Sequence, residues 1–239
     1  MGSSDGENSA PNTQHSALKN MRLGLLGGTF NPIHNGHLAI ARQTREALGL
    51  DRILFIPTGD PPHKSHNNLA PIKDRYEMVR LAIASDPLFS ISDVELRRAG
   101  KSYSIDTIRL VQQEYGANTT LFFLIGLDAF LDFPSWRKPE TLLSLCSFVV
   151  ISRPGLLFQS LSTMTLLPPL PIKPLADLDA GRRSIWEVEI GAQRLICLRL
   201  PPSEVSASDI RKRIGQNMPV ANLLPPLVES YILHHHLYE

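Results

Sequence analysis

Short apolar runs alternate along the chain with segments whose apolar residues recur every three or four positions. "RLGLLG" at 22–27 and "RILFIPT" at 52–58 are bounded by turn residues, and between them "HLAIARQTREALGL" sets Leu38, Ile40, Ala41, Thr44 and Leu48 near helical spacing. That is a strand, a helix and a strand. The pattern predicts further helices around "KDRYEMVRLAIAS" and "SIDTIRLVQQEYG", and strands near "FSISDVE", "TTLFFLIGLD" and "CSFVVISRPG". Runs this apolar suit parallel strands covered on both faces. The expected fold is α/β: a Rossmann-like, doubly wound, mainly parallel sheet with helices on both faces. "RLICLRLP" predicts a last strand, and "SASDIRKRI" and "PPLVESYILHHHL" a small C-terminal helical part.

Between 154 and 193 the rhythm breaks at "LPPLPIKPLADLDAGRRS", whose prolines cannot sit inside a central strand or helix. This segment is expected to be an irregular insertion in a single domain spanning 21–239. Residues 1–20 are polar and rich in Ser, Asn and Gly, and are expected to form a disordered leader. No internal repeat is evident.

At 239 residues the chain can bury a sizeable core, and 43% hydrophobic with 20% charged residues is ordinary for a globular protein. A net charge of +1 provides no overall basic field for nucleic acid or a membrane surface, so an anion site must be local. No apolar stretch approaches the roughly 20 residues of a membrane span, and the N-terminus lacks a signal-peptide core. The expected location is the cytoplasm, consistent with only two cysteines, Cys146 and Cys197, each inside an apolar run.

The candidate chemistry concentrates in "LGLLGGTFNPIHNGHLAIA", residues 23–41. Gly27 and Gly28 after a strand permit a tight turn and close approach of a ligand, and the following helix offers free N–H groups and a positive dipole end. Neither the P-loop pattern nor GxGxxG is present. His34 and His37, three residues apart, are either a surface or capping pair or two rings meeting one phosphate chain. A second helix start, "VSASDIR", offers Ser206 or Ser208 as cap and Arg211 one turn in; it is an ordinary capped helix or a second anion site. Asp128, at the end of "TLFFLIG", is either a helix cap or a ligand to ribose or a metal-bound phosphate. Consecutive His234, His235 and His236 point in different directions and cannot converge on one ion, so no resident metal site is expected.

"GGTFNPIHNGHL", with "HNGH" at 34–37, resembles the nucleotidylyltransferases, and within them the bacterial nicotinate-nucleotide adenylyltransferases. "PTGDPPHK", "KSYSIDTI", "IGLDAFLDFPSWRKPETLL", "FVVISRPG" and "VSASDIRKRI" agree in the same order, so the resemblance covers roughly 22–155 and 195–235. It implies adenylyl transfer from ATP to nicotinate mononucleotide, giving deamido-NAD and pyrophosphate by direct in-line attack, with Mg2+ delivered by ATP. It assigns catalysis to His34, His37, Lys64 and Arg211, with His63 shaping the Lys64 loop. Gly27, Gly28, Thr29, Phe30, Gly126, Asp128, Ser206 and Ser208 would bind ATP, and Ser104, Thr107 and Trp136 the mononucleotide. Three positions depart from the family pattern: Ala207 in its serine run, Leu127 where alanine is more familiar, and Ser104 where threonine is common. Relatives on the same core take nicotinamide mononucleotide or phosphopantetheine, and a non-catalytic ATP sensor is the reading from a different class. No nucleic-acid or membrane partner is expected.

Overall fold

The computed structural model describes residues 20–61, 69–202 and 204–239. Among them, seven strands form one sheet: β1 (Met21–Gly28), β2 (Arg52–Pro57), β3 (Phe89–Ile91), β4 (Thr119–Gly126), β5 (Ser147–Ile151), β6 (Ile185–Ile190) and β7 (Gln193–Leu198). Their order is β3-β2-β1-β4-β5-β7-β6, parallel throughout except for β6 against β7. From β1 the chain winds outward through β2 and β3, then crosses back to β4 and winds the other way. The carboxyl ends of β1 and β4 therefore flank the topological switch point, where open α/β sheets leave a crevice for ligands.

The helices are α1 (Asn35–Leu48), α2 (Ile72–Ile83), α3 (Ser104–Tyr115), α4 (Leu127–Leu131), α5 (Pro139–Leu145), α6 (Ile172–Asp179), α7 (Ala207–Gly215) and α8 (Pro226–His234). Alternation along each strand divides the core into two layers. Leu23 and Leu25 of β1 join Ile105, Ile108 and Val111 of α3, Leu142 of α5 and Leu175 of α6 on one face. Leu26 joins Leu38 and Ala41 of α1, Met78 and Val79 of α2, Ile210 of α7 and Val228 of α8 on the other. This is the expected doubly wound fold with a small C-terminal helical part.

The expectation of an irregular insertion at 154–193 is corrected. The segment holds a 3-10 turn (Phe158–Thr163), helix α6 and the whole of β6. Pro171 precedes α6 and Pro174 lies in its first turn, where backbone N–H groups have no partner inside the helix, so proline is compatible there. Asp179 at the end of α6 accepts from the backbone N–H groups of Phe158 (2.7 Å) and Gln159 (3.1 Å), tying the segment together. In β6, Trp186, Val188 and Ile190 pack on the core while Glu187 and Glu189 alternate outward, a period-2 signal present in "IWEVEI". The short helix α5 had no counterpart in the sequence reading, and α4 only in the helix cap offered for Asp128.

Candidate active site at the switch point

A cavity of about 1070 Å³ opens at the carboxyl ends of β1 and β4. It is lined by the end of β1 and the turn that follows, to which Gly27, Gly28, Thr29, Phe30 and Asn31 all contribute. At Gly27 a Cβ would meet only Phe123 Cζ, at 3.8 Å, so the backbone there faces open space. The left-handed backbone falls on Phe30 (φ 47), an unusual conformation for a bulky residue. Burial enforces it: the Phe30 ring, 2% exposed, stands edge-on to His37 at 5.1 Å and packs on Phe55 at 5.9 Å. The Asn31–Pro32 peptide is cis.

Arg75 of α2 sits beneath this turn, 1% exposed. Its Nε donates to Ala70 O (2.9 Å), Nη1 to Thr29 O and Thr58 O (both 2.7 Å), and Nη2 to Gly59 O (3.1 Å). One planar donor fork thereby ties the loops after β1 and β2 to the segment entering α2. Sequence reasoning missed Arg75, because in "KDRYEMVRL" nothing separates it from a solvated helix arginine.

The two histidines divide the roles assigned to them together. His37, half-buried, lines the cavity, and its Nδ1 accepts from the backbone N–H of His34 at 3.2 Å, which puts the neutral ring's proton on Nε2. His34 is the N-terminal flanking residue of α1 and lies buried behind it, the two rings stacked 3.7 Å apart. Burial, with the nearby Arg153 charge adding to it, lowers the His34 pKa from 6.5 to about 4. The resemblance places His34 among the catalytic residues; the structure keeps it out of the cavity lining, its ring held neutral by burial and stacked behind His37.

At the start of α7, Ser206 is the cap and accepts from the backbone N–H of Asp209 at 3.2 Å, while its hydroxyl lies 2.7 Å from that of Ser208. Neither serine lines the main cavity; Ala207 does, together with Arg211 one turn on. Ala207, the residue of this run that departs from the family pattern, is the one that lines the cavity. Ser206 flanks α7 in an extended conformation, and Ser208 points about 100° away from Ala207 around the helix. Arg211 Nη1 donates to Asn31 O at 2.7 Å, which holds the guanidinium beside the turn after β1.

Across the cavity, Gly126 closes β4 against an ion pair between Arg153 Nε and Asp128 Oδ1 at 3.0 Å. A Cβ on Gly126 would fall 2.5 Å from Arg153 Nε and closer still to Asp128, so only glycine lets that pair sit there. Gly126 itself flanks the start of α4, which settles Asp128 as a first-turn residue and not a cap. Arg153, in "ISRPG", had not been singled out.

The remaining wall comes from α3 and the segment after α4. Tyr103, Ser104, Trp136 and Arg137 line it. The indole packs edge-on to Phe123 (6.4 Å) and tilted on Phe133 (5.2 Å), so one side is anchored in the core. The Arg137 guanidinium lies over the Tyr103 ring at 4.7 Å and 3.8 Å from Asp106 Oδ2. Thr107 is corrected from the mononucleotide set. It is 3% exposed and donates to Glu95 Oε1 at 2.6 Å, because a residue one turn into α3 faces the core and not the cavity. Glu95 does line the cavity, and its Oε2 accepts from Gly59 N at 2.9 Å.

Lys64 and His63 lie outside the described residues. Among the described residues no three His, Cys, Asp or Glu side chains gather at metal-binding distance. No helix there is long and apolar enough to cross a membrane.

The comparisons with known proteins agree with one another. The cytidylyltransferase-like family model matches residues 25–213. A probable nicotinate-nucleotide adenylyltransferase of Geobacter metallireducens is 40% identical over 218 residues, covering 91% of this chain and 98% of that relative. One from Geotalea daltonii is 41% identical with the same coverage. Among solved structures, nicotinic acid mononucleotide adenylyltransferase of Plasmodium falciparum complexed with NaAD superposes with a TM-score of 0.66 at 18% identity, covering 91% of this chain and 97% of that one. At that identity the superposition shows the fold alone.

Proposed function

Because the chain belongs to the cytidylyltransferase-like family and, within it, to the nicotinate-nucleotide adenylyltransferases, we propose that the cavity at the β1/β4 switch point joins ATP to nicotinate mononucleotide. The observation that carries the reading is that His37, Arg211 and Trp136, drawn from three remote parts of the sequence, line one cavity. At about 1070 Å³ it stands at the top of the usual range for a single small-molecule site, as two nucleotides side by side require.

Adenylyl transfer forms a bond between a mononucleotide phosphate oxygen and the α-phosphorus of ATP and breaks the bond to the β-phosphate oxygen, releasing pyrophosphate. The protein's work is to align attacking and leaving oxygens and to neutralise charge as it shifts, without a covalent intermediate. In this reading His37 Nε2–H and the Arg211 guanidinium stabilise the triphosphate as pyrophosphate departs, and Lys64 adds charge from its loop. Gly27 and Gly28 let the triphosphate approach the backbone, while the start of α1 turns its dipole toward it. Gly126 and Asp128 serve the nucleoside side, with Arg153 held ready by Asp128.

Magnesium would enter bound to ATP, held by phosphates and water; the donor set fits this, since both carboxylates of the cavity among the described residues are engaged, Asp128 by Arg153 and Glu95 by Thr107 and Gly59 N. On the other side, Trp136 stacks on the pyridine ring, and Ser104 at the start of α3 offers hydroxyl and backbone donors to the acid's carboxylate. A cytoplasmic location is part of this proposal; burial pushes the Cys146 and Cys197 thiols up to about 12.

Pyrophosphate release with Mg-ATP and, in turn, nicotinate mononucleotide, nicotinamide mononucleotide and phosphopantetheine tests the assignment. Preference for the nicotinate acid is expected. Faster turnover of another acceptor would reassign the substrate, and ATP binding without release for any of the three would make the protein a sensor.

A further inference from the structure

Asn31 is the point at which three remote segments meet. Its side-chain oxygen accepts from the backbone N–H of Ala70 at 3.0 Å and from the Tyr238 hydroxyl at 2.8 Å, while its backbone oxygen accepts from Arg211 Nη1 at 2.7 Å. Asn31 is 8% exposed and lines the cavity. Tyr238 reaches it from beyond the end of α8, 207 residues away in sequence. Two left-handed residues, His236 (φ 50) and Tyr238 itself (φ 71), turn the chain back, and Leu237 N bonds to Ile232 O at 3.1 Å.

Arg211 lines the main cavity and also a second one of about 500 Å³, whose other side is formed by Leu237 and Tyr238. The chain after α8 therefore backs the guanidinium on the side away from the nucleotide.

We propose that Tyr238 is a positioning residue for the triphosphate half of the cavity, acting through Asn31 to hold the turn after β1 and the Arg211 guanidinium in register. The bonds to its side-chain oxygen and the bond to its backbone oxygen anchor the same residue, so losing the Tyr238 hydrogen bond loosens the peptide that Arg211 binds. The hydroxyl is suited to a fixed donor role: burial pushes its pKa above the ordinary tyrosine value, outweighing the downward pull of Arg211 and Arg75, so it keeps its proton. The inference rests on the reading of this cavity as an ATP site.

Tyr238→Phe removes the hydroxyl and keeps the ring. Steady-state kinetics of the variant should show kcat/KM for Mg-ATP lowered about five- to tenfold, the range of one lost hydrogen bond, with KM for nicotinate mononucleotide within about twofold of wild type. In an Arg211→Ala background the same substitution should have almost no further effect, because the group it positions is gone. A hydroxyl that only stabilised the fold would lower the melting temperature and leave the kinetic constants unchanged, and that result overturns the proposal. So does a rise in KM shared equally by both substrates, or a loss carried undiminished into the Arg211→Ala background. Titration calorimetry with a non-hydrolysable Mg-ATP analogue separates this inference from the functional reading: weaker binding by Tyr238→Phe supports the positioning role even if wild-type turnover fails, and equal binding sinks it.

Discussion

Around His37 the cavity wall is tied to the core by hydrogen bonds from buried or part-buried side chains, whereas around Trp136 it is half-exposed and held by ring faces and a long ion pair. On the first side Arg75 satisfies four carbonyl oxygens and Asn31 gathers three donors. On the second, Arg137 rests on Tyr103 and reaches Asp106 only at 3.8 Å, with about half its side chain in solvent. Bonds shielded from water fix atoms to within fractions of an ångström, which transfer at phosphorus demands; exposed contacts let a wall adapt to its ligand. The triphosphate half should therefore govern turnover and stability, and the pyridine half affinity and choice of acceptor.

The largest break in this contrast is expected from Arg75→Met, which strands four carbonyl oxygens, that of Ala70 buried and those of Thr29, Thr58 and Gly59 partly so. At about 1 kcal/mol for each lost partner, stability should fall by about 4 kcal/mol in urea unfolding. An unchanged midpoint would show that the loops hold without the guanidinium.

His37→Ala should lower kcat about 100-fold, equivalent to about 2.7 kcal/mol of transition-state stabilisation, while costing about 1 kcal/mol or less in stability. Pyrophosphate release compared with the melting temperature separates the two; an undiminished rate removes His37 from the mechanism.

His34 should make the same region acid-sensitive. Its folded-state pKa, about 4, lies below the unfolded value of 6.5, so its contribution is whole above 6.5 and is lost as pH falls toward 4. At pH 5 the loss is about 2 kcal/mol, measurable by denaturant unfolding across that window. His34→Gln should flatten the curve there, and a wild-type curve already flat between 6.5 and 4 would place the ring in water.

The smallest effect belongs to the other wall. Trp136→Ala should raise KM for the mononucleotide about tenfold, or about 1.4 kcal/mol, with kcat changed less. A rise confined to KM for ATP would exchange the two halves.

The strands, the long helices and the glycine turn were legible because each is encoded within a few residues, by period and by backbone constraint. "IWEVEI" carried an equally plain period of two, but the prolines upstream drew the reading toward a loop. Arg75, Glu95 and Arg153 carried no local mark: their roles lie in partners 12 to 46 residues away that only the folded chain brings near.

The sequence by itself determined that the glycine turn after β1, His37, Arg211 and Trp136 would gather at one rim of a mainly parallel sheet. Tertiary structure decided which members of each motif face the cavity: His37 and not His34, Ala207 and not its serine neighbours, Ser104 and not Thr107. The reason is geometric, since a motif lists residues while the phase of its helix against the sheet, set by packing and by remote hydrogen-bond partners, selects the side chain that meets the ligand.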